Sequence, residues 1–222
     1  MISITRSLVP ILYAMMTVLA PTFGHTQTEL PTGADLLKTD ILAVLAHPDD
    51  ELTMAATVAR YALVGKKRIA HVYCTRGEGG GNMVGTQWGP ALGILREREL
   101  RDCLDILGVQ ACYFLDQVDW AYTESATMTL EKWDYEAEVG RLTRIIRTLR
   151  PDVVLTMSPF PRPGWHGHHQ AAGMLAVEAT AAAADQRQFP RQIKREGLTV
   201  WRTEPWAGCR ISVASFGWHD VF

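Results

Sequence analysis

Short apolar runs that alternate with longer amphipathic stretches constrain the fold of this chain most strongly. The apolar runs span residues 41–45, 69–73, 112–115 and 153–157. Runs this short are typical of buried strands, and the stretches between them carry the i, i+3, i+4, i+7 spacing of helices. Strands that alternate with helices predict a mostly parallel sheet covered on both faces. We therefore expect an α/β fold, a Rossmann-like three-layer sandwich.

The segments between the strands divide into helices and one long loop. Helices are predicted over residues 52–64, 91–107, 136–149 and 169–184. In the second helix Leu100 and Leu104 mark the buried face, and Arg96 is expected to face outward or to pair with a neighbour. Residues 75–90 are polar and glycine-rich, which predicts a long and functional loop. Near the end of the chain, residues 211–214 are expected to form an edge strand.

An acidic turn with one histidine, His47-Pro48-Asp49-Asp50-Glu51, follows the first strand directly. Open α/β sheets bind their ligands at the carboxyl ends of their strands. An imidazole and a carboxylate suit zinc, and a second carboxylate beside them can take a proton from a water activated by the metal. The alternative is that one of the aspartates only caps the next helix. Glu51 is interpreted as a first-turn or supporting group.

Three histidines within four residues, His166, His168 and His169, precede the last predicted helix. Residues three apart at a helix start can point into one pocket. Taken alone, the run is typical of a solvated loop. Together with the acidic turn it favours a shared metal site.

These motifs resemble the PIG-L/LmbE family of zinc-dependent de-N-acetylases, and most closely its large secreted bacterial branch. The resemblance covers roughly residues 40–200 and extends to four further segments: Cys74 to Asn82, Arg96 to Leu100, Tyr113 to Asp119 and Arg150 to Thr156. It also implies that residues 196–201 lead into a last strand. The usual histidine motif of that family is His-Pro-Asp-His. Here the outer histidines are kept, but His168 replaces the aspartate, which leaves open what orients His166.

The resemblance implies a set of roles for these residues. His47, Asp50 and His169 would bind Zn²⁺ and leave one position open for water and substrate. Asp49 would be the general base, and His166 would stabilise the oxyanion. The substrate would be an N-acetylated, GlcNAc-type sugar or a glycoconjugate. Two alternatives remain open: a catalytically silent sugar-binding module of the same fold, and an amidase acting on another N-acyl conjugate.

Four residues in the loops after the second and third strands are candidates for substrate binding. They are Arg76, Glu78, Asp119 and Trp120. For Arg76 a loop-anchoring salt bridge is an equally good interpretation, and Asp119 could instead support His166. For Trp120 local packing is the alternative to stacking on a sugar.

The remaining predictions concern the chain as a whole. Its 222 residues carry a net charge of −2, so nothing indicates a nucleic-acid partner. Residues 1–25 have the layout of a signal peptide, with an apolar run shorter than a membrane helix needs; the alternative is an uncleaved anchor. We expect an exported protein, periplasmic or extracellular, without stable membrane insertion after cleavage. The deacetylase domain is placed at 35–205, followed by a tail at 206–222. The oligomeric state and the pairing of the four cysteines stay open.

Overall fold

The structure is a computed structural model that describes residues 32–203 and the backbone of 213–216. The predicted signal peptide at 1–25 and most of the tail at 206–222 lie outside the described residues. Within the described part, no helix combines the length and the apolar character that a membrane crossing needs. Cys74, Cys103 and Cys112 are free thiols there. Cys209 lies outside the described residues.

Five parallel strands form one sheet in the order β3-β2-β1-β4-β5. The strands are β1 (Ile41–Leu45), β2 (Ile69–Tyr73), β3 (Ala111–Phe114), β4 (Val153–Met157) and β5 (Val213–Phe216). The central strand β1 pairs with β2 on one side and with β4 on the other. The predicted α/β fold with a parallel sheet is confirmed.

Helical segments connect the strands, and several of them are too short to have a clear apolar period. They are α1 (Gly33–Leu37), a 3₁₀ turn (Asp50–Met54), α2 (Ala55–Ala59), a π-helical turn (Arg60–Val64), α3 (Pro90–Leu107), α4 (Ala126–Lys132), α5 (Tyr135–Leu149), α6 (Gly167–Ala183) and α7 (Pro190–Lys194). The sequence did not predict α1, α4 or α7. The predicted helix over 52–64 exists, but it changes its winding twice.

Residues 196–201, which were expected to lead into a last strand, form no strand themselves. The Leu198 N–H donates to the carbonyl of Gln192, and the Trp201 N–H donates to the carbonyl of Ala183, which closes the helix α6. The segment therefore uses its hydrogen bonds on helix ends and not on a sheet. The edge strand expected at 211–214 is β5, which begins at Val213, two residues later than expected.

Side chains alternate across the sheet and fill two separate cores. From β1, Leu42 and Val44 face the layer of α5 and α6, whereas Ala43 and Leu45 face the layer of α2 and α3. The first layer packs tightly because the buried face of α6 is mostly alanine. The two layers with the sheet between them form the predicted three-layer sandwich.

The strand order reverses between β1 and β4. The chain moves outward from β1 through β2 to β3 on one side, and from β4 to β5 on the other. Such a reversal opens a crevice at the carboxyl ends of the two central strands, where open α/β sheets bind ligands. The acidic turn follows β1, and the histidine run follows β4. The fold therefore brings the two motifs to the same crevice.

Candidate metal centre and active site

The Asp50 carboxylate is held by the backbone of its own turn. Its Oδ2 accepts hydrogen bonds from the N–H of Ala46 at 2.9 Å and of His47 at 2.8 Å. Its Oδ1 faces Nε2 of His169 at 3.1 Å. One oxygen thus fixes the side chain and the other is directed at the histidine run.

The helix α6 begins inside the histidine run. His166 is its N-cap residue, and the helix begins at Gly167, two residues earlier than predicted, so His169 lies in the first turn. Gly167 is required here because a Cβ would lie 2.5 Å from the carbonyl oxygen of Ser125. The Gly167 N–H donates to the carbonyl of Thr123 at 2.6 Å, which anchors the start of the helix.

His47, Asp50 and His169 form a group with metal-binding geometry, since one potential ligand atom of each lies within 4.8 Å of the others. Burial lowers the pKa of His47 to about 4, against the pull of Asp50. Burial opposes the ionisation of Asp50, but His169 and His47 outweigh it and hold its pKa at about 2. A neutral imidazole and an ionised carboxylate are the protonation states that a divalent metal requires. Two imidazoles and one carboxylate are also the donor types that zinc takes in proteins, so the donor set fits zinc.

Asp49 lies next to this group in a strained backbone conformation. Its φ of 118° is in the left-handed region, which costs about 1–3 kcal/mol for a residue other than glycine. The Asp49 N–H donates to Oε2 of Glu51 at 3.0 Å, and the Tyr73 hydroxyl donates to the same oxygen at 3.1 Å. Glu51 is buried, so its carboxylate holds the turn from the interior of the protein.

The carboxyl group of Asp49 is half exposed and pairs with Arg96. Nη2 of Arg96 donates to Asp49 Oδ2 at 2.8 Å and to the carbonyl of Pro48 at 2.5 Å. Partial burial, together with the charge of Asp50, raises the pKa of Asp49 to about 6 although Arg96 acts in the opposite direction. A carboxyl group with a pKa near neutrality is suited to general-base catalysis.

Arg96 is a site residue whose role the sequence analysis missed. It was expected to face outward or to pair with a neighbour, and it pairs with Asp49 at the site. The signal was present, because Leu92, Arg96, Leu100 and Leu104 form one i, i+4 row in α3 and its three leucines are buried. Nη1 of Arg96 also donates to the carbonyl of Gly77 at 3.1 Å. The side chain thus ties α3 to the loops after β1 and β2.

His166 presents one ring nitrogen to the crevice. Its Nδ1 accepts the N–H of His168 at 3.0 Å, and the ring packs against Tyr122 with 4.8 Å between the ring centroids. Burial lowers the pKa of His166 to about 3, and the neighbouring histidines act in the same direction. A neutral ring that accepts at Nδ1 carries its proton on Nε2. His166 is therefore oriented as a hydrogen-bond donor by its own helix cap.

The four predicted substrate-binding residues divide into two pairs. Arg76 forms ion pairs with Glu97, at 2.5 Å, and with Asp116, and its guanidinium lies over the ring of Phe114. Glu78 accepts from the N–H of Arg76 and from the N–H of Asp119. Both side chains hold loops together, which favours the anchoring alternative stated for Arg76.

Asp119 and Trp120 lie closer to the histidines. Asp119 is buried, with Oδ1 at 3.4 Å from Nδ1 of His168 and at 3.8 Å from Nε2 of His47. The ring of Trp120 lies 5.8 Å from that of His168 and carries the ammonium of Lys132 over it at 4.8 Å. Asp119 thus contacts His168 and His47, which places it beside the metal group.

Comparisons with known proteins agree with this geometry. A curated relative, the 1D-myo-inositol 2-acetamido-2-deoxy-alpha-D-glucopyranoside deacetylase of Streptomyces scabiei, is 34% identical over 163 residues, and the match covers 65% of this chain and 49% of the relative. The chain spans about half the length of the curated relatives it matches.

Two solved structures share the fold. The N,N'-diacetylchitobiose deacetylase from Pyrococcus horikoshii has a TM-score of 0.64 at 23% identity, over 80% of this chain and 60% of that one. GalB, the 4-carboxy-2-hydroxymuconate hydratase from Pseudomonas putida, has a TM-score of 0.59 at 22% identity, over 76% and 63%. A hydratase with this fold means that the fold alone does not define the reaction.

The sequence profile of one family decides the membership. The profile of the PIG-L family, described as GlcNAc-PI de-N-acetylase, matches residues 42–180. That range holds the acidic turn, the loop after β2 and the histidine run. Because the match covers more than half of the residues, the chain belongs to the PIG-L family.

Proposed function

We propose that the chain is a zinc-dependent hydrolase that removes the acetyl group from an N-acetylated sugar or glycoconjugate of the GlcNAc type. One observation carries the proposal: a His/Asp/His donor group lies directly beside a second carboxylate, Asp49, whose pKa is raised towards neutrality. A sugar-binding module would need neither the donor group nor the base. The relatives named above include deacetylases of two acetylated amino sugars, which supports this substrate class.

The zinc ligands in this proposal are His47, Asp50 and His169. Zinc held there would polarise the amide carbonyl and lower the pKa of a coordinated water. The protein contributes a rigid carboxylate, since both backbone bonds to Asp50 Oδ2 hold it in place before any metal binds. The site is also open to solvent beside these ligands, because the carboxyl group of Asp49 is half exposed.

The remaining steps belong to the side chains around the crevice. Asp49 takes a proton from the attacking water while the oxygen of that water forms a bond to the acetyl carbon. The Nε2–H of His166 donates to the oxyanion that forms on the acetyl oxygen. Asp49 then passes its proton to the amine nitrogen as the C–N bond breaks, which yields the free amino sugar and acetic acid, and the acid loses its remaining proton to solvent to become acetate. Asp49 thus acts first as base and then as acid, and the proton that it takes from water leaves with the amine.

Release of free amine from a panel of N-acetylated sugars tests the proposal. The zinc-loaded wild type should release amine, and Asp49→Asn should keep its zinc but lose turnover by about 10²–10⁴-fold, the usual contribution of a general base. Equal turnover in the variant would exclude Asp49 as the base. A wild type that binds the sugars without releasing amine would be a silent sugar-binding module. Release from other N-acyl conjugates alone would identify an amidase of a different specificity.

We also propose that the mature protein is exported. The support is the sequence alone: Arg6 precedes an apolar run at 8–20, and small and polar residues follow. Sequencing the amino terminus of the protein recovered from each cell fraction tests this. Recovery of the chain in the cytosol with residue 1 intact would contradict export.

A further inference from the structure

His168 has no task in the proposed chemistry, although it is completely buried beside the metal group. Its ring lies 4.9 Å from the ring of Trp133 and 5.8 Å from that of Trp120. Its Nε2 is buried and has no hydrogen-bond partner among the described residues. A buried polar side chain in such a place requires an explanation, because burial without a partner is costly.

The other ring nitrogen of His168 does have a partner, and this contact gives the side chain a reason to lie here. Its Nδ1 lies 3.0 Å from Nε2 of His47. His47 faces Asp50 through Nδ1, at 3.8 Å from Oδ2, so Nδ1 is the atom available to a metal. A neutral histidine that binds a metal through Nδ1 carries its proton on Nε2. That N–H is then directed at His168, whose Nδ1 must accept it.

We propose that His168 is a positioning residue whose Nδ1 accepts the Nε2–H of His47 and fixes the His47 ring as a metal ligand. The inference rests on the metal site of the proposed function. Ligand histidines in metal sites commonly donate their second N–H to an acceptor that fixes tautomer and ring orientation. Here an imidazole nitrogen takes the place that a carboxylate or a carbonyl usually has.

Asp119 reinforces the same hydrogen bond from the side. Its Oδ1 lies 3.4 Å from Nδ1 of His168 and 3.8 Å from Nε2 of His47, so the Nε2–H of His47 has one acceptor at hydrogen-bond distance, Nδ1 of His168, and a carboxylate oxygen beside it. The negative charge favours the tautomer of His47 with the proton on Nε2. The Asp119 N–H is in turn held by Glu78 at 3.0 Å. The loop after β3 is thus connected to the metal ligand through His168 and Asp119.

A second interpretation of the same atoms is a cation between them. His47, His166 and His168 also have ligand atoms within 4.8 Å of one another. However, Nδ1 of His166 already accepts the N–H of His168. His47 would also have to lose both ring protons to bind ions on both of its nitrogens. The hydrogen bond is therefore the better account, and the number of zinc ions per chain distinguishes the two.

Zinc affinity of the full chain, measured by competition with a chelator, tests the proposal without any turnover assay. His168→Leu removes the acceptor and should weaken zinc binding by about 10–100-fold, the usual effect of losing such a partner. His168→Asn keeps an acceptor near the position of Nδ1 and should bind zinc close to the wild-type affinity. His71→Leu is the matched control: this histidine is also completely buried with an unpartnered Nε2, but it bonds to Tyr73 and not to the metal group.

Each outcome decides between the interpretations. Unchanged zinc affinity in a folded His168→Leu protein, or an equal loss in His168→Asn, would contradict the proposal. Two zinc ions in the wild type, of which His168→Leu loses one and keeps the other at unchanged affinity, would establish the cation instead. If the leucine variant does not fold, His168→Gln replaces it, because its amide lies near Nε2 and should not restore affinity. A wild type that binds no zinc contradicts the proposed function itself.

Discussion

Removing the charge of Arg96 should move the acid limb of the pH–rate profile to higher pH. The base Asp49 must be ionised to take a proton, so activity falls as the pH drops through its pKa. Burial and Asp50 raise that pKa to about 6, and Arg96 lowers it. In Arg96→Met the lowering charge is gone. The pKa of Asp49 rises further, and half-maximal activity on the acid side requires a higher pH.

The contact geometry gives the size of the shift. Unit charges about 4 Å apart interact by roughly 1 kcal/mol in water and 4 kcal/mol at an effective dielectric constant of 20. The Asp49 side chain is 57% exposed and that of Arg96 is 20% exposed, so the lower part of that range applies. A value of about 1.4 kcal/mol corresponds to one pKa unit. We therefore expect an upward shift of about one unit.

The assay is kcat/KM for amine release between pH 5 and pH 9, chosen to bracket the expected pKa. Arg96→Lys is the matched control, since it keeps the charge but loses the planar group that also bonds to the carbonyls of Pro48 and Gly77. Its acid limb should stay near that of the wild type even if its plateau is lower. An unchanged or lowered acid limb in Arg96→Met would refute the assignment of Asp49 as the titrating base.

Three further predictions concern residues outside the metal group. Tyr73→Phe removes the hydrogen bond from the Tyr73 hydroxyl to the Glu51 carboxylate, which also accepts the Asp49 N–H. The kcat should therefore fall while the zinc affinity stays unchanged, and a parallel loss of zinc affinity would contradict this. Arg147 is 2% exposed and donates to carbonyls at the end of α6. Arg147→Met should therefore lower the free energy of unfolding in urea by at least about 3 kcal/mol, and Arg147→Lys should lower it less. Burial raises the pKa of Glu138 to about 7. Its contribution to the free energy of unfolding, up to about 3 kcal/mol, should be complete below about pH 4.5 and should be lost as the pH rises through 7. Urea unfolding at pH 5 and pH 8 should show this loss in the wild type but not in Glu138→Gln.

The sequence predicted the sheet and the meeting of the two motifs well. Each of the first four strands is a compact apolar run, and in a parallel sheet both faces of such a strand are buried, so the pattern is clear without alternation. The positions of His47 and His169 after β1 and at the start of α6 then follow from topology alone.

The parts that could not be predicted depend on tertiary contacts between loops. The ion pairs of Arg76 join it to Asp116, which is distant in the sequence, and no local pattern marks that pairing. The segment at 196–201 has the composition of a strand, but its hydrogen bonds go to the ends of two helices. The role of His168 could likewise not be predicted, because it depends on contact with a ring nitrogen of His47, which lies on the other side of the crevice.

The most direct test of the central claim is an anomalous difference map at the zinc edge from crystals grown with zinc. The account predicts a single strong peak bounded by Nδ1 of His47, Oδ1 of Asp50 and Nε2 of His169, with the carboxyl group of Asp49 beside it. A peak between Nε2 of His47, His166 and His168, or no peak in the crevice, would contradict it.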